Sequence, residues 1–419
     1  MKKVELLSPA GNLKKLKIAL AYGADAVYGG VSHFSLRIRS GKEFTYESFK
    51  EGIDYAHARG KKVYATINGF PFNSQIKLYA QHIEKMAAME PDAFIVSTPG
   101  VIKLAQNIAP HIPLHLSTQA NVMNYLDAEV YYEMGVSRII AAREISLKDL
   151  VQIKEHLPDL ELEVFVHGSM CFAYSGRCLI SSVQSGRVPN RGSCANDCRF
   201  EYTLYAENPE TGTLFKLEER EGEGTYIMNA KDLNLASHIK EILDSGAIDS
   251  LKIEGRTKSD YYVAATTRAY RMAIDDYYEG RFRPELYQAE LATTKHRGFT
   301  DAYLVHRPYE RGDTQKLDSS ISEGTHQVKG EVMEDGEHFL TKDKVCQGDI
   351  LEIVVPGGEV EPCKNDIGEI YEDGGRWWVR MDRIEAGGKE YECIHSGNLN
   401  PVKLPCKLPA YSFLRKEVG

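Results

Sequence analysis

Over roughly the first 280 residues, short apolar runs alternate with amphipathic stretches of helical period. VELLS (4–8) precedes a helix pattern at 12–22, AVYGG (26–30) one at 46–59, KVYATIN (62–68) one at 75–89 and AFIVS (93–97) one at 100–109. LHLST (114–118) precedes 126–134, RIIAA (138–142) precedes 146–156, LEVFV (162–166) runs into a cysteine-bearing segment, and SLKIE (250–254) leads into 259–279. This order specifies a parallel sheet. Parallel neighbours need a crossover, usually a helix, and strands covered on both faces read as continuous apolar runs. Thr45, Ser146 and Ser259 are the predicted N-caps, each offering a side-chain oxygen to a backbone N–H that lacks an intrahelical partner.

Each run also ends on polar residues or glycine: Ser8, Gly29 with Gly30, Asn68, Ser97, Gln119 with Asn121, Arg143 with Glu144, His167 with Gly168, and Glu254 with Arg256. A closed (β/α)8 barrel gathers all its C-terminal strand ends round one site, whereas a doubly wound sheet concentrates its chemistry at one or two crevices. The expected fold is therefore α/β: a TIM-like barrel over residues 1–305, with an insertion at 169–228 rich in Cys, Arg and Gly. FEYTLYAENPETGTLFKL within that insertion reads as a hairpin. Beyond His306 the pattern changes to β-branched runs such as VKGEVME, GDILEIVVPGG and RWWVRM, separated by EDGE, PGG and DGG turns. That is the signature of a small antiparallel β-barrel-like domain, expected at 326–419 after a linker at 306–325.

A length of 419 residues suits one large domain with a smaller one, and 42% apolar with 26% charged residues is ordinary for a globular chain. The net charge of −9 excludes nucleic-acid binding driven by the field of the whole molecule. An RNA partner needs a local basic face. The N-terminus has no h-region and no apolar run approaches a membrane span. A cytoplasmic protein is expected, whose eight cysteines serve as thiols or metal ligands rather than disulfides.

Cys171, Cys178, Cys194 and Cys198 fall within 28 residues, as C-x6-C-x15-C-x3-C. Four thiolates so placed suit Zn2+ or an iron–sulfur cluster. Zinc ribbons use tight C-x2-C or C-x4-C pairs, and the wide first pair favours [4Fe–4S]; zinc and unligated buried thiols stay open. Cys346, Cys363, Cys393 and Cys406 lie far apart and read as small apolar residues without a role. Arg177, Arg187, Arg191 and Arg199 crowd the insertion, and Lys252, Arg256 and Lys258 follow at the last strand. With Phe172, Tyr174 and Phe200 as stacking faces, they form a candidate contact for an RNA strand or an anionic metabolite. His167, Glu254, Gln119 and Asn68 are the strand-end candidates for orienting substrate or moving protons.

EVFVHGSMCFAYSGRCLIS (163–181) resembles the signature of the collagenase-like peptidase family U32, through Glu163, Phe165, Gly168, Ser169, Cys171, Gly176, Cys178 and Ser181. ELLSPAG (5–11), YGADAVYGG (22–30), SLRIRS (35–40), HLSTQAN (115–121), NRGSCANDCRFEY (190–202), GTYIMNAKDL (224–233) and SLKIEGRTKSDYY (250–262) extend the likeness over nearly the whole chain. They resemble one branch of the family, the tRNA hydroxylation proteins that form 5-hydroxyuridine at the wobble position with prephenate as a required metabolite. The resemblance implies a [4Fe–4S] cluster on Cys171, Cys178, Cys194 and Cys198, and the anticodon loop of a tRNA as partner. Iron–sulfur assembly and electron-donor proteins are further expected partners. Prephenate is a dicarboxylate and needs cations of fork geometry; Arg37, Arg39, Arg143 and Arg256 are the candidates. The segment between Arg199 and Gly224 departs from the branch in being short and acidic.

Two other classes compete with this reading. The family name suggests a peptidase, yet the chain has no H-E-x-x-H and no G-x-S-x-G. Cys171 and His167 imitate a Cys–His pair only if the thiol is not a metal ligand. A zinc-dependent RNA-binding protein without catalysis is the other, against which the polar residues at all eight strand ends speak.

Overall fold

The computed structural model describes residues 3–31, 43–171, 173–185, 187, 189, 194–200, 202–203, 205–216, 229–316, 321–397 and 400–418. Arg37, Arg39 and Arg191 lie outside the described residues. Seven strands, β1 (Glu5–Pro9), β2 (Ala26–Gly29), β3 (Lys62–Thr66), β4 (Ala93–Val96), β5 (Leu114–Leu116), β6 (Arg138–Ile140) and β7 (Glu161–Ser169), pair in sequence order, all parallel. β8 (Tyr205–Asn208) and β9 (Thr213–Lys216) form the expected hairpin of the insertion. β10 (Asp232–Asn234) lies antiparallel to the end of β7, and β11 (Ser250–Ile253) pairs in parallel with both β7 and β1. That double pairing closes an eight-stranded parallel barrel. β12 (Phe299–Thr300) runs beside β10.

The helices up to Ala292 are α1 (Leu13–Ala21), α2 (Tyr46–His57), α3 (Ile76–Ala87), α4 (Pro99–Ile108), α5 (Tyr125–Glu133), α6 (Leu147–His156), α7 (Ile180–Ser185), α8 (Ile239–Asp244), α9 (Asp260–Tyr278) and α10 (Pro284–Ala292), and a short α11 (Arg311–Thr314) follows. Asn12, Thr45, Thr98, Asn124, Ser146 and Ser259 each accept a backbone N–H at a helix start, so all three predicted caps are in place. No helix among the described residues is long and apolar enough to cross a membrane.

Both faces of the barrel strands are buried, which is why the sequence shows continuous apolar runs. Leu6, Val27, Val63, Phe94, Leu116, Leu162 and Leu251 belong to the main core with the helices, while Leu7, Ala26, Tyr28, Tyr64, Ala93, Ile95 and Ile140 form a second cluster. Charged residues are threaded through the strands as well. Arg138 donates to Glu5 at 2.6 Å and Glu163 at 3.1 Å, Lys252 to Glu163 at 2.7 Å, and the Tyr64 hydroxyl to Glu5 at 2.6 Å. Buried charges are tolerated when paired this completely.

The C-terminal region is a curled antiparallel sheet of ten strands beginning at His326. It packs on the barrel helices: the Tyr22 hydroxyl donates to the carbonyl of Val354 at 2.8 Å, and buried Arg415 binds both Glu352 of the sheet and Glu290 of α10. Here the cysteine reading needs correction. Cys346 pairs with Cys393, and Cys363 with Cys406, as two disulfides. Strand pairing explains the first, since Cys346 and Cys393 face each other in register across two antiparallel strands. The segment expected to act as a plain linker also carries structure. His296 and Glu323 exchange backbone hydrogen bonds at 2.9 and 3.0 Å, and Lys231 donates to Thr314 at 2.9 Å.

Candidate functional site

The C-terminal ends of the barrel strands surround a cavity of about 110 Å³. Asn68, Ser117 and Gln119 form one wall, with Ser97 hydrogen-bonded to it. Asn68 follows β3 and its Nδ2 points at Gln119 Oε1 at 3.4 Å; Ser97 Oγ donates to the same oxygen at 3.0 Å, and Ser117 Oγ at 3.2 Å. Gln119, after β5, is thereby held in one orientation, with Asn68 and Gln119 both lining the cavity.

The opposite wall is charged. Arg143, after β6, makes a buried ion pair with Glu254, after β11, and its guanidinium lies 4.1 Å from the centre of the Phe165 ring. Arg256 Nη1 donates to Thr66 Oγ1 at 3.0 Å. Lys252 Nζ sits 4.4 Å from the Tyr28 ring centre. Burial lowers the pKa of Lys252 and Glu163 opposes that shift. Three cations and one carboxylate between two aromatic faces make a pocket suited to a planar or ring-bearing anion.

Two glycines keep the strand ends this close. Gly168 has φ +122°, and a Cβ there would stand 2.7 Å from the Glu254 carbonyl oxygen. At Gly11 a Cβ would meet the Arg256 carbonyl oxygen at 2.2 Å. Both positions exclude a side chain because the cavity's charged residues follow directly on the neighbouring strand.

His167 is placed elsewhere. It does not line the cavity but is buried among the rings of Tyr262, Tyr270 and Phe299, 5.6 to 5.9 Å away. Burial pushes its pKa down to about 3, against the pull of Asp232, so the imidazole is neutral at physiological pH. Its Nδ1 lies 3.4 Å from the Tyr270 hydroxyl.

Cys171, Cys178, Cys194 and Cys198 are all unpaired thiols, in contrast to the four in the C-terminal sheet. Burial raises the pKa of Cys178 and Cys198, and each also feels others of the four, which places the set in one neighbourhood. A shared cation is the direct remedy for thiolates that raise one another's pKa. Among the described residues, no three of these sulfurs lie within 4.8 Å of one another. Four thiols in one neighbourhood are a donor set that fits an iron–sulfur cluster or Zn2+. Asp197 of the same segment accepts from Ser185 at 3.3 Å, and Ala195 N donates to Ser181 Oγ at 3.1 Å, tying the two cysteine pairs through α7.

The basic residues of the insertion divide. Exposed Arg177 donates through Nε to the Gln119 carbonyl at 2.9 Å, which sets it beside the cavity wall. Arg199 adjoins Cys198 and lowers its pKa against burial. Arg187 is exposed, and Lys258 Nζ stands 5.3 Å from the Tyr262 ring centre. Sequence reasoning passed over Tyr28, Phe165, Thr66 and Ser117 as site residues, although all four line the cavity. Only the strand phase marked them. Tyr28 and Phe165 sit among otherwise aliphatic runs, and which face they occupy is decided by barrel closure.

The model of peptidase family U32 matches residues 11–314. The chain belongs to peptidase family U32. Within U32, a relative from Helicobacter pylori (strain J99), named tRNA hydroxylation protein P, is 64% identical over the full length of both chains. A protein of the same name from Escherichia coli K12 is 40% identical over 86% of this chain and 88% of its own. A third, the 23S rRNA 5-hydroxycytidine C2501 synthase of Escherichia coli K12, is 30% identical over 90% of this chain and 56% of its own. Relatives named for RNA hydroxylation thus each match 86% or more of this chain.

Proposed function

We propose that this protein is a tRNA hydroxylase that converts wobble uridine to 5-hydroxyuridine, dependent on prephenate and a [4Fe–4S] cluster. End-to-end similarity to a protein named for tRNA hydroxylation carries the reading. The cationic, aromatic-walled barrel mouth and the four free thiols support it.

In this reading Arg143 and Arg256 hold the carboxylates of prephenate, a geometry for which guanidinium forks are suited. Arg37 and Arg39, outside the described residues, are assigned to the same group. Asn68 and Gln119 offer amides to the edge of a uracil that the anticodon loop presents largely unstacked. Glu254, paired with Arg143, is the one carboxylate among the described residues lining the cavity, and in this reading it takes or returns a proton there. Arg177, Arg187, Arg191, Arg199 and Lys258 are assigned to the RNA backbone. A [4Fe–4S] cluster on Cys171, Cys178, Cys194 and Cys198 would supply iron's redox and Lewis-acid chemistry. His167 keeps its neutral imidazole beneath the site and orders the strand end that precedes Cys171.

The peptidase alternative loses its base, because a histidine held near pKa 3 is a poor acceptor for a thiol proton at neutral pH. Mass spectrometry of wobble nucleosides tests the proposal in cells lacking this protein, complemented with wild type or with Cys171→Ser. 5-Hydroxyuridine-derived nucleosides should vanish on deletion, return with wild type and stay absent with the variant. Their persistence in the deletion, in cells without a second hydroxylase, overturns it.

A further inference from the structure

A different set of metal-ligating side chains converges beyond the barrel cavity. The turn after β10 carries His238, and Asp301 directly follows β12. The chain then reverses: Tyr303 N donates to the His306 carbonyl at 2.8 Å, and Leu147 N of α6 anchors the turn through the Leu304 carbonyl at 2.9 Å. Tyr303 adopts φ +75°, a left-handed conformation that costs a bulky side chain on the order of 1–2 kcal/mol. The reversal brings His306 back onto Asp301. Asp301 Oδ2 then lies 3.0 Å from His238 Nε2 and 3.1 Å from His306 Nδ1, and the three ligand atoms all fall within 4.8 Å of one another.

One imidazole satisfies a carboxylate oxygen. Two imidazoles aimed at the same oxygen, one of them delivered by a strained turn, make a point where three electron-pair donors meet. The other nitrogen of His238 faces Glu241 Oε2 at 3.7 Å.

We infer that His238, Asp301 and His306 bind a divalent first-row transition-metal ion, through His238 Nε2, an Asp301 oxygen and His306 Nδ1. Two nitrogens and one oxygen select such an ion over Mg2+ or Ca2+, which prefer all-oxygen shells. Three protein ligands leave coordination positions open. Asp301 and His306 line a cleft together with Gln288, Arg307, Tyr309 and Asp313. The site is separate in chemistry from the four thiols.

Cobalt(II) titration of the full-length protein tests this, because the spectrum reports the donor set. The wild type should develop visible d–d bands without thiolate-to-cobalt charge transfer. His306→Ala and Asp301→Asn should each weaken that uptake by about tenfold or more, while Cys171→Ala leaves it unchanged. His306 is 64% exposed, so its truncation leaves the fold intact. Cobalt bound only with thiolate charge transfer, or bound equally well by wild type and both triad variants, overturns the inference and leaves an ion-pair cluster. The readout is metal uptake, so its failure is distinguishable from failure of the tRNA hydroxylase reading.

Discussion

Arg143 and Glu254 come from strands far apart in sequence and pair across the cavity with side chains only 8% and 7% exposed. Removing one partner from such a pair is costlier than removing both. Arg143→Met is expected to lower stability by on the order of 3 kcal/mol, read as a fall in Tm. Arg143→Met/Glu254→Leu should recover most of it while hydroxylation stays lost, giving a positive coupling energy in the double-mutant cycle. His167 makes a prediction in pH. Its native pKa of about 3 lies below the ordinary 6.5, so the unfolded chain takes up a proton first as pH falls. The stability it contributes is complete above about pH 6.5 and is lost progressively toward pH 3. Between pH 7 and 5 that loss is about 2 kcal/mol. Urea unfolding of His167→Phe should lose about that much less than wild type over the same interval, since buried His82 and His115 shift both proteins alike. Equal losses in the two proteins would remove His167 from the account.

At the scale of elements, the eight barrel strands were legible because each is a largely apolar run, six of them with a side-chain-capped helix behind. The polar residue at each strand end was legible for the same reason. What the sequence hid is non-local. DLN (232–234) and FT (299–300) are too short to signal strands, and they exist because the end of β7 offers an unpaired edge. The Arg138–Glu163–Lys252 network reads as ordinary surface charge until the barrel closes around it. Cys346 and Cys393 become partners only once two short strands align. The wall of Ser97, Ser117 and Gln119 was half visible, as strand ends without a known neighbour. Gly168 shows how an element places the site. Gly168→Ala forces a Cβ into the Glu254 backbone at a φ that disfavours it, and should cost on the order of 2–3 kcal/mol. Gly60, with φ +65° and open space around it, is the control and should cost about 1 kcal/mol. Activity at a temperature where both variants remain folded separates the two effects. Only Gly168→Ala should lose hydroxylation, because only it spreads β7 from the residue that pairs with Arg143.

Across the whole molecule, the barrel and the C-terminal sheet are joined through a charged centre rather than an apolar seam alone. Arg415, 2% exposed, donates to Glu352 at 2.8 and 2.9 Å, to Glu290 at 3.1 Å and to the Tyr261 hydroxyl at 2.8 Å. Burial opposes its charge, but Glu290 and Glu352 outweigh that and raise its pKa, so it stays cationic throughout the accessible pH range. Arg415→Met leaves two buried carboxylates facing each other with weaker compensation, Arg268 at 3.0 Å from Glu290 and His326 at 3.6 Å from Glu352. The expected cost is on the order of 3 kcal/mol. Because the lost contact joins the C-terminal sheet to the barrel helices, the form of the transition should change as well as its midpoint. Calorimetry should resolve the single unfolding endotherm of the wild type into two, the first from whichever part depends more on the other. Restoring the pairing by size alone tests the electrostatic origin. Arg415→Met/Glu290→Gln/Glu352→Gln removes the uncompensated charge and should rejoin the endotherms, whereas a purely steric role for Arg415 predicts that the triple variant stays split.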